Sequence, residues 1–186
     1  MYQKGGAILI AIERNLVTQR FRWGHININV TDLDASIHFY QKLGFELFIS
    51  GIPYLDLTAE EARKLPTNTA RALNLPSDTK GRACIMQLDR HLPKLDLTEL
   101  SELEQPEKPK LLQNTDLGIV RICLASNDLL TDYQHLLAQG VEFLSPPTTC
   151  TSRMAEVVVC KDPDGTLIEL LQVHMERWPR VKPVST

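Results

Sequence analysis

The sequence carries no strong charge of either sign and no basic patch. Its 186 residues include 20 basic and 23 acidic side chains, which gives a net charge of −3. The basic residues are dispersed along the chain, whereas a nucleic-acid-binding domain concentrates them on one face. We therefore expect no nucleic-acid partner.

Cysteines are few, and no long apolar run resembles a membrane span. The four cysteines, Cys84, Cys123, Cys150 and Cys160, show none of the close paired spacings typical of zinc or redox sites, which favours free thiols in a reducing compartment. The apolar stretch 7–12 is six residues long, whereas a helix that spans a bilayer needs about 20. No cleavage pattern follows it. The sequence thus predicts a cytoplasmic protein with no membrane contact.

What the sequence does contain is an internal repeat. The segment HININVTDLDASIHFYQKLGFEL begins at His25, and the segment RICLASNDLLTDYQHLLAQGVEF begins at Arg121; the 23 residues of each align without a gap. Each position matches the one 96 residues further on, so that Asp32 aligns with Asp128. Such a repeat indicates that one supersecondary unit occurs twice. With 43% hydrophobic residues, the chain has enough apolar mass for a core.

Each repeat predicts a strand, a helix and three further strands. Apolar and polar residues alternate over 25–30, which is the period of a strand. Asp32 and Asp128 are typical helix N-caps, and Gly44 and Gly140 stand where a helix ends in a left-handed residue. The further strands are predicted over 45–49, 82–88 and 95–100 in the first copy, and over 141–144, 155–161 and 166–173 in the second.

The first copy is longer than the second. Aligning the last strands pairs Glu99 with Glu169 and leaves 26 additional residues in the first copy. They fall within a helical insert, 51–80, where TAEE at 58–61 predicts a helix-opening capping box and prolines bracket a second helical piece between 66 and 76. Such an insert could serve as a lid, as part of a pocket or as a surface elaboration.

The repeat also sets the expected domain organisation. Two modules of the same kind should be joined by a polar linker rich in Glu, Pro, Lys and Gln. The expected parts are an N-terminal extension (1–20), a first module with the insert (21–101), a linker (102–114), a second module (115–175) and a C-terminal tail (176–186).

Three features together resemble one family: the two β-α-β-β-β units, the opening Gly-His-Ile, and the Asp-Pro-Asp-Gly turn before a strand that contains Leu-Ile-Glu-Leu. The chain resembles the vicinal oxygen chelate superfamily, which includes glyoxalase I, methylmalonyl-CoA epimerase, extradiol dioxygenases and bleomycin- and fosfomycin-resistance proteins. The resemblance covers roughly residues 21–175. It implies an α+β fold in which two β-α-β-β-β modules form a half-barrel, a small-molecule substrate or ligand, and a homodimer.

The resemblance also implies a metal site. The family takes its ligands from the first and last strand of each module, and the corresponding positions here are His25, Glu99, Arg121 and Glu169. Arginine offers only donors, so Arg121 cannot be a ligand. His25, Glu99 and Glu169 would hold a divalent Fe, Mn, Ni, Co or Zn ion, with Glu99 or Glu169 as a catalytic base. Alternatively, Arg121 replaces the metal and pairs with both glutamates.

Residues on the same strand faces complete the expected site. Asn27 and Asn29 share a face with His25, and Cys123 shares one with Arg121, so these residues and Arg121 are candidate substrate-binding groups. Three functions remain open at this point. They are a metal-dependent lyase or isomerase acting on a small oxygenated substrate, a metal-free binding or sequestration protein of the bleomycin-resistance type, and an extradiol dioxygenase. The last is the least favoured, because Arg121 stands where its iron site needs a histidine.

Overall fold

The computed structural model describes residues 22–101 and 112–179 as an α+β fold, which is the fold class that the sequence predicts. The proposed N-terminal extension, most of the linker and the end of the tail lie outside the described residues. Within the described ranges, no helix combines the length and apolar character needed to cross a membrane.

The elements of the first half are β1 (His25–Asn29), α1 (Leu33–Lys42), β2 (Glu46–Ile49), β3 (Gly51–Ile52), β4 (Leu57–Thr58), β5 (Arg63–Lys64), α2 (Thr67–Ala72), β6 (Lys80–Gln87) and β7 (Lys94–Ser101). They form a sheet with the order β1-β7-β6-β2, and β5 pairs with β6. The first and last strands, β1 and β7, run parallel, as the crossover through α1 requires.

The second half repeats this topology in a four-stranded sheet with the order β8-β11-β10-β9. Its elements are β8 (Arg121–Ala125), α3 (Leu129–Ala138), β9 (Thr148–Thr149), β10 (Ala155–Lys161) and β11 (Leu167–Val173). The strand expected over 141–144 does not form, and only an isolated bridge joins Phe143 to Cys160. Two prolines follow at once, at 146 and 147, and they cannot donate to a strand ladder.

The two crossover helices begin and end in the same way. The side chain of Asp32 accepts a hydrogen bond from the Ala35 amide at 3.0 Å, and Asp128 accepts one from the Thr131 amide at 3.2 Å. Both helices stop before a glycine with positive φ, +89° at position 44 and +79° at position 140. These N-caps and left-handed glycines are the ones that the sequence predicts.

The insert differs from its prediction in one helix. Residues 58–61 do not form a capping box, because Glu60 accepts a hydrogen bond from the Ser50 hydroxyl and Glu61 accepts one from Arg63. The second predicted helical piece forms as α2. The insert packs its apolar residues against the sheet in a cluster made up of Ile52, Leu55, Leu57, Leu65, Ala70 and Ala83.

The two halves share one main core on the other face of the first sheet. Alternation along β6 places Cys84 and Met86 in this core, whereas Ala83 faces the insert. The core also contains residues of α3, β10 and β11, so it is continuous between the halves. The Tyr40 hydroxyl donates to the buried Asp162 carboxylate at 3.1 Å and ties α1 to the turn between β10 and β11.

Candidate functional site

Strand register shows which residues of the two modules correspond. Asn27 on β1 lies opposite Asp96 on β7, and Cys123 on β8 lies opposite Glu169 on β11. Because Asn27 and Cys123 are matched in the repeat, Asp96 is the counterpart of Glu169. The alignment of Glu99 with Glu169 was therefore wrong by three residues, and the first module carries 23 additional residues rather than 26. Because side chains alternate between the two faces of a strand, a shift of three residues also places Glu99 on the face opposite to that of Asp96.

Glu99 lies on the helix side of the first sheet. Its carboxylate accepts a hydrogen bond from the Leu33 amide at 2.8 Å and another from Arg82 Nη2 at 2.7 Å. In the second module, Gln172 accepts from the Leu129 amide at the same place, also at 2.8 Å. The structure therefore does not bring Glu99 together with His25, which lies on the opposite face, and Glu99 instead holds the start of α1.

Asp96 is the carboxylate that lies beside His25. Its side chain is 1% exposed, and its Oδ2 lies 3.6 Å from His25 Nδ1 and accepts a hydrogen bond from the Tyr54 hydroxyl at 3.2 Å. The other oxygen, Oδ1, is buried without a hydrogen-bond partner among the described residues. Burial raises the pKa of Asp96, and burial together with the Asp96 charge raises the pKa of Tyr54.

Sequence reasoning missed both Asp96 and Tyr54. The available signal for Asp96 was a carboxylate between two leucines, Leu95 and Leu97, on a strand where charge is costly to bury. Tyr54 comes from a turn of 3₁₀ helix in the insert, and its ring stacks on His25 with centroids 6.2 Å apart. No local pattern indicates that long-range contact.

The two asparagines predicted as substrate-binding groups lie beside His25 on the same face. The Thr98 hydroxyl donates to Asn27 Oδ1 at 2.8 Å, and Asn27 Nδ2 donates to Asn29 Oδ1 at 3.0 Å. This chain of hydrogen bonds orients both amides. Nδ2 of Asn29, at its end, has no hydrogen-bond partner among the described residues and is available as a donor.

A pocket of about 270 Å³ lies between this face and the insert. Its polar wall is formed by His25, Asn27, Asn29 and Thr98, and its apolar wall is formed by Leu55, Leu65, Leu73, Leu75 and Leu100, with Tyr54 beside them. The insert therefore supplies part of a pocket, which is one of the roles open to it from the sequence.

The corresponding place in the second module holds an ion pair. Arg121 Nε donates to Glu169 Oε2, and Arg121 Nη1 donates to Asn114 Oδ1 at 3.0 Å. Burial and the neighbouring Glu169 raise the pKa of Cys123 to about 11. The alternative prediction was that Arg121 pairs with both glutamates in place of a metal. The structure contains its pair with Glu169, whereas Glu99 pairs with Arg82.

These residues do not fit a divalent metal held by His25, Glu99 and Glu169. Glu99 faces away from His25, and Glu169 is engaged by a guanidinium that cannot coordinate a cation. In the parts of the chain that the structure describes, no three His, Cys, Asp or Glu side chains form a group able to hold a metal ion.

The duplicated β-α-β-β-β fold defines an α+β protein made of two repeated modules, with a pocket on the sheet of the first. The chain belongs to the Glyoxalase/Bleomycin resistance protein/Dioxygenase superfamily, whose model matches residues 22–170. Proteins of this superfamily commonly bind small-molecule substrates, often use divalent metals and often form oligomers.

Solved structures share the fold at low sequence identity. A glyoxalase family protein from Bacillus cereus has a TM-score of 0.66 and 16% identity, over 88% of this chain and 99% of that one. A superfamily member from Sphaerobacter thermophilus has a TM-score of 0.54 and 20% identity, over 82% and 98%. Glyoxalase I from Zea mays has a TM-score of 0.55 and 16% identity, over 81% of this chain but 44% of the maize chain. No curated protein matches the chain.

Proposed function

We propose that this chain is a metal-independent member of its superfamily that binds a small molecule in the pocket between β1, β7 and the insert. The observation that carries the proposal is the ion pair between Arg121 and Glu169, at strand positions from which the family draws metal ligands. The guanidinium keeps its positive charge at all working pH values and neutralises the carboxylate that a metal would need.

The pocket supports binding in the first module. A small-molecule site is commonly a concave, mostly apolar space with a few convergent polar groups. Four leucines of the insert and Leu100 of β7, together with an imidazole, two amides and a hydroxyl, meet this description. The Asp96 carboxylate accepts a hydrogen bond from Tyr54 and lies 3.6 Å from His25 Nδ1, so two residues that line the pocket share one buried neighbour.

Metal content tests the proposal. We expect protein purified without added metal to contain far less than one equivalent by elemental analysis, and titration with Ni²⁺, Zn²⁺ or Mn²⁺ to give no stoichiometric binding. Glu169→Gln should leave this result unchanged, and Glu142→Gln, at an exposed position of the same module, is its matched control. One tightly bound equivalent that Glu169→Gln removes and Glu142→Gln retains would contradict metal independence.

A second candidate is a metal-free lyase or isomerase, favoured by the 3.6 Å approach of His25 Nδ1 to the buried Asp96. A carboxylate on Nδ1 leaves Nε2 as the basic nitrogen of the ring. Nε2 would take a proton from a carbon next to a carbonyl group, the C–H electron pair would move into an enolate, and reprotonation at carbon would regenerate a carbonyl compound.

Solvent exchange tests this second candidate. Phenylacetone, a neutral ketone, should exchange its methylene protons in D₂O with EDTA faster with the protein than without it, as followed by proton NMR. His25→Gln should abolish the acceleration, whereas His135→Gln, on the surface helix α3, should retain it. Exchange that is not accelerated by the wild type, or that survives His25→Gln, would remove the enzyme candidate and leave the binding function.

A further inference from the structure

We infer that the pocket selects an uncharged amphipathic ligand that carries a hydrogen-bond acceptor, and discriminates against an anion of the same size. The inference rests on the proposed function, since it names the chemical class that the pocket would bind. Three properties of the pocket support it: its charges, the direction of its hydrogen bonds and its apolar wall.

The pocket offers an anion no fixed positive partner. Among the residues that the structure describes, no lysine or arginine lines it. The nearby Lys94 donates to the Gln87 side chain and to the Asp89 carbonyl, and Arg82 is held by Glu99 on the other face of the sheet. A carboxylate ligand would lose its water without gaining an ion pair, and this desolvation opposes its binding.

The buried Asp96 strengthens this discrimination. It lies 3.6 Å from His25 Nδ1, so a positive charge on the imidazole is balanced within the protein and is not available to a ligand. The Tyr54 hydroxyl donates its hydrogen bond to Asp96 and is therefore not free to donate to an anion. With Asp96 ionised, the His25 end of the pocket therefore has no net positive charge to offer an anion.

The hydrogen bonds of the polar wall point to an acceptor on the ligand. Donation runs from Thr98 to Asn27 and from Asn27 to Asn29, which leaves the Asn29 amide N–H groups to donate. A carbonyl oxygen of a neutral amide or ketone suits such a donor. Asn29 lies four residues from His25 on the same strand face, roughly 13 Å at the usual strand rise.

The opposite wall suits an apolar body. Leu55 and Leu65 are buried there, and Leu73, on the insert, is 51% exposed at the rim. Burying apolar ligand surface against these side chains stabilises the complex in proportion to the area removed from water. The expected ligand thus has its acceptor at the amides and its hydrocarbon part against the leucines.

Three matched probes test the inference: benzamide (neutral), benzoate (anionic) and benzylammonium (cationic). Their dissociation constants would be measured with the full chain at pH 7.5 by ligand-observed NMR. We expect benzamide to bind at least about tenfold more tightly than benzoate, a difference of about 1.4 kcal/mol. Asn29→Ala should weaken benzamide severalfold.

A substitution at the rim of the pocket should create binding of the anionic probe. Leu73→Lys places a cation beside the pocket at an exposed position, where the fold tolerates a charge. It should improve benzoate binding and leave benzamide little changed, and Leu73→Gln controls for the loss of the leucine.

The outcomes separate the two proposals. Benzoate binding as tight as that of benzamide would overturn the inference and leave the proposed binding function standing. Binding of none of the probes, or binding that Asn29→Ala does not affect, would overturn the assignment of the ligand to this pocket as well. Benzylammonium binding more tightly than benzamide would also overturn the preference for a neutral ligand.

Discussion

At the scale of single residues, the burial of the Asp96 carboxyl group is the feature of the site that most opposes folding. Its side chain is 1% exposed, one oxygen is shared between His25 and Tyr54, and the other has no hydrogen-bond partner among the described residues. A buried polar atom without a partner costs about 1–3 kcal/mol. Asp96 contacts two residues that line the pocket, His25 and Tyr54, and so links the stability of the fold to the pocket.

Asp96→Asn should change how stability depends on pH. Burial raises the pKa of Asp96 above its ordinary value of 3.8, so the native state holds this proton more tightly than the unfolded state. Stability from this group is therefore full below 3.8 and is lost as the pH rises through the raised pKa. Without the carboxyl group, that loss disappears.

Urea unfolding at pH 4, 5, 6 and 7 measures the effect. The free energy of unfolding of Asp96→Asn should rise relative to the wild type as the pH increases. His25 and Tyr54 are the titratable groups that face the Asp96 carboxylate. The control is Asp78→Asn, which removes a carboxylate at an exposed position. A difference that does not vary with pH would show that the burial of Asp96 does not control this dependence.

At the scale of elements, both modules contain a hydrogen bond from the first amide of the helix to a side chain of the last strand, although the accepting residue differs. Glu99 on β7 and Gln172 on β11 each accept a hydrogen bond from the first amide of a crossover helix, at 2.8 Å in both cases. The glutamate also pairs with Arg82, which reaches Asp34 on α1 and the Ala59 carbonyl of the insert. Glu99 is therefore a structural tie between three elements.

Glu99→Ala should lower the free energy of unfolding by about 1–3 kcal/mol, because both the Leu33 amide and Arg82 lose a partner. Glu99→Gln keeps an acceptor for the amide, as Gln172 does naturally, and should cost less. Chemical unfolding measures both. If Glu99→Ala left stability unchanged and removed a bound metal, Glu99 would instead be a metal ligand.

The elements show how far sequence reasoning reaches in this chain. Asp32, Asp128, Gly44 and Gly140 act through neighbours within four residues, so the helix boundaries follow from local chemistry. The register between β1 and β7 depends on hydrogen bonds between strands some 70 residues apart. Sequence similarity around Glu99 does not determine that register. The face of one carboxylate, and with it the composition of the candidate site, depended on that register.

At the scale of the whole molecule, the two modules behave as one core. The main apolar cluster contains residues of both, and the hydroxyl of the fully buried Tyr40 donates to Asp162 across the boundary. Thr31 adds a second link, since its amide and hydroxyl both donate to the Asp164 carboxylate. The modules should therefore unfold together.

Tyr40→Phe should destabilise both modules by a similar amount, about 1–2 kcal/mol, because it leaves Asp162 without one buried donor. Native-state hydrogen exchange of amides in β6 and in β10 measures this. Tyr133→Phe is the control, since that ring packs on Phe143 within the second module. Loss of protection in β6 alone would show that the modules open independently.

The way the insert covers one face of a single sheet has a consequence for assembly. Every described side chain that lines the pocket lies between positions 25 and 100, within the first repeat. Dilution that separates one copy of the chain from another should thus leave ligand affinity unchanged. Oligomer formation and ligand occupancy can then vary independently, unlike in proteins whose sites are shared across a subunit boundary.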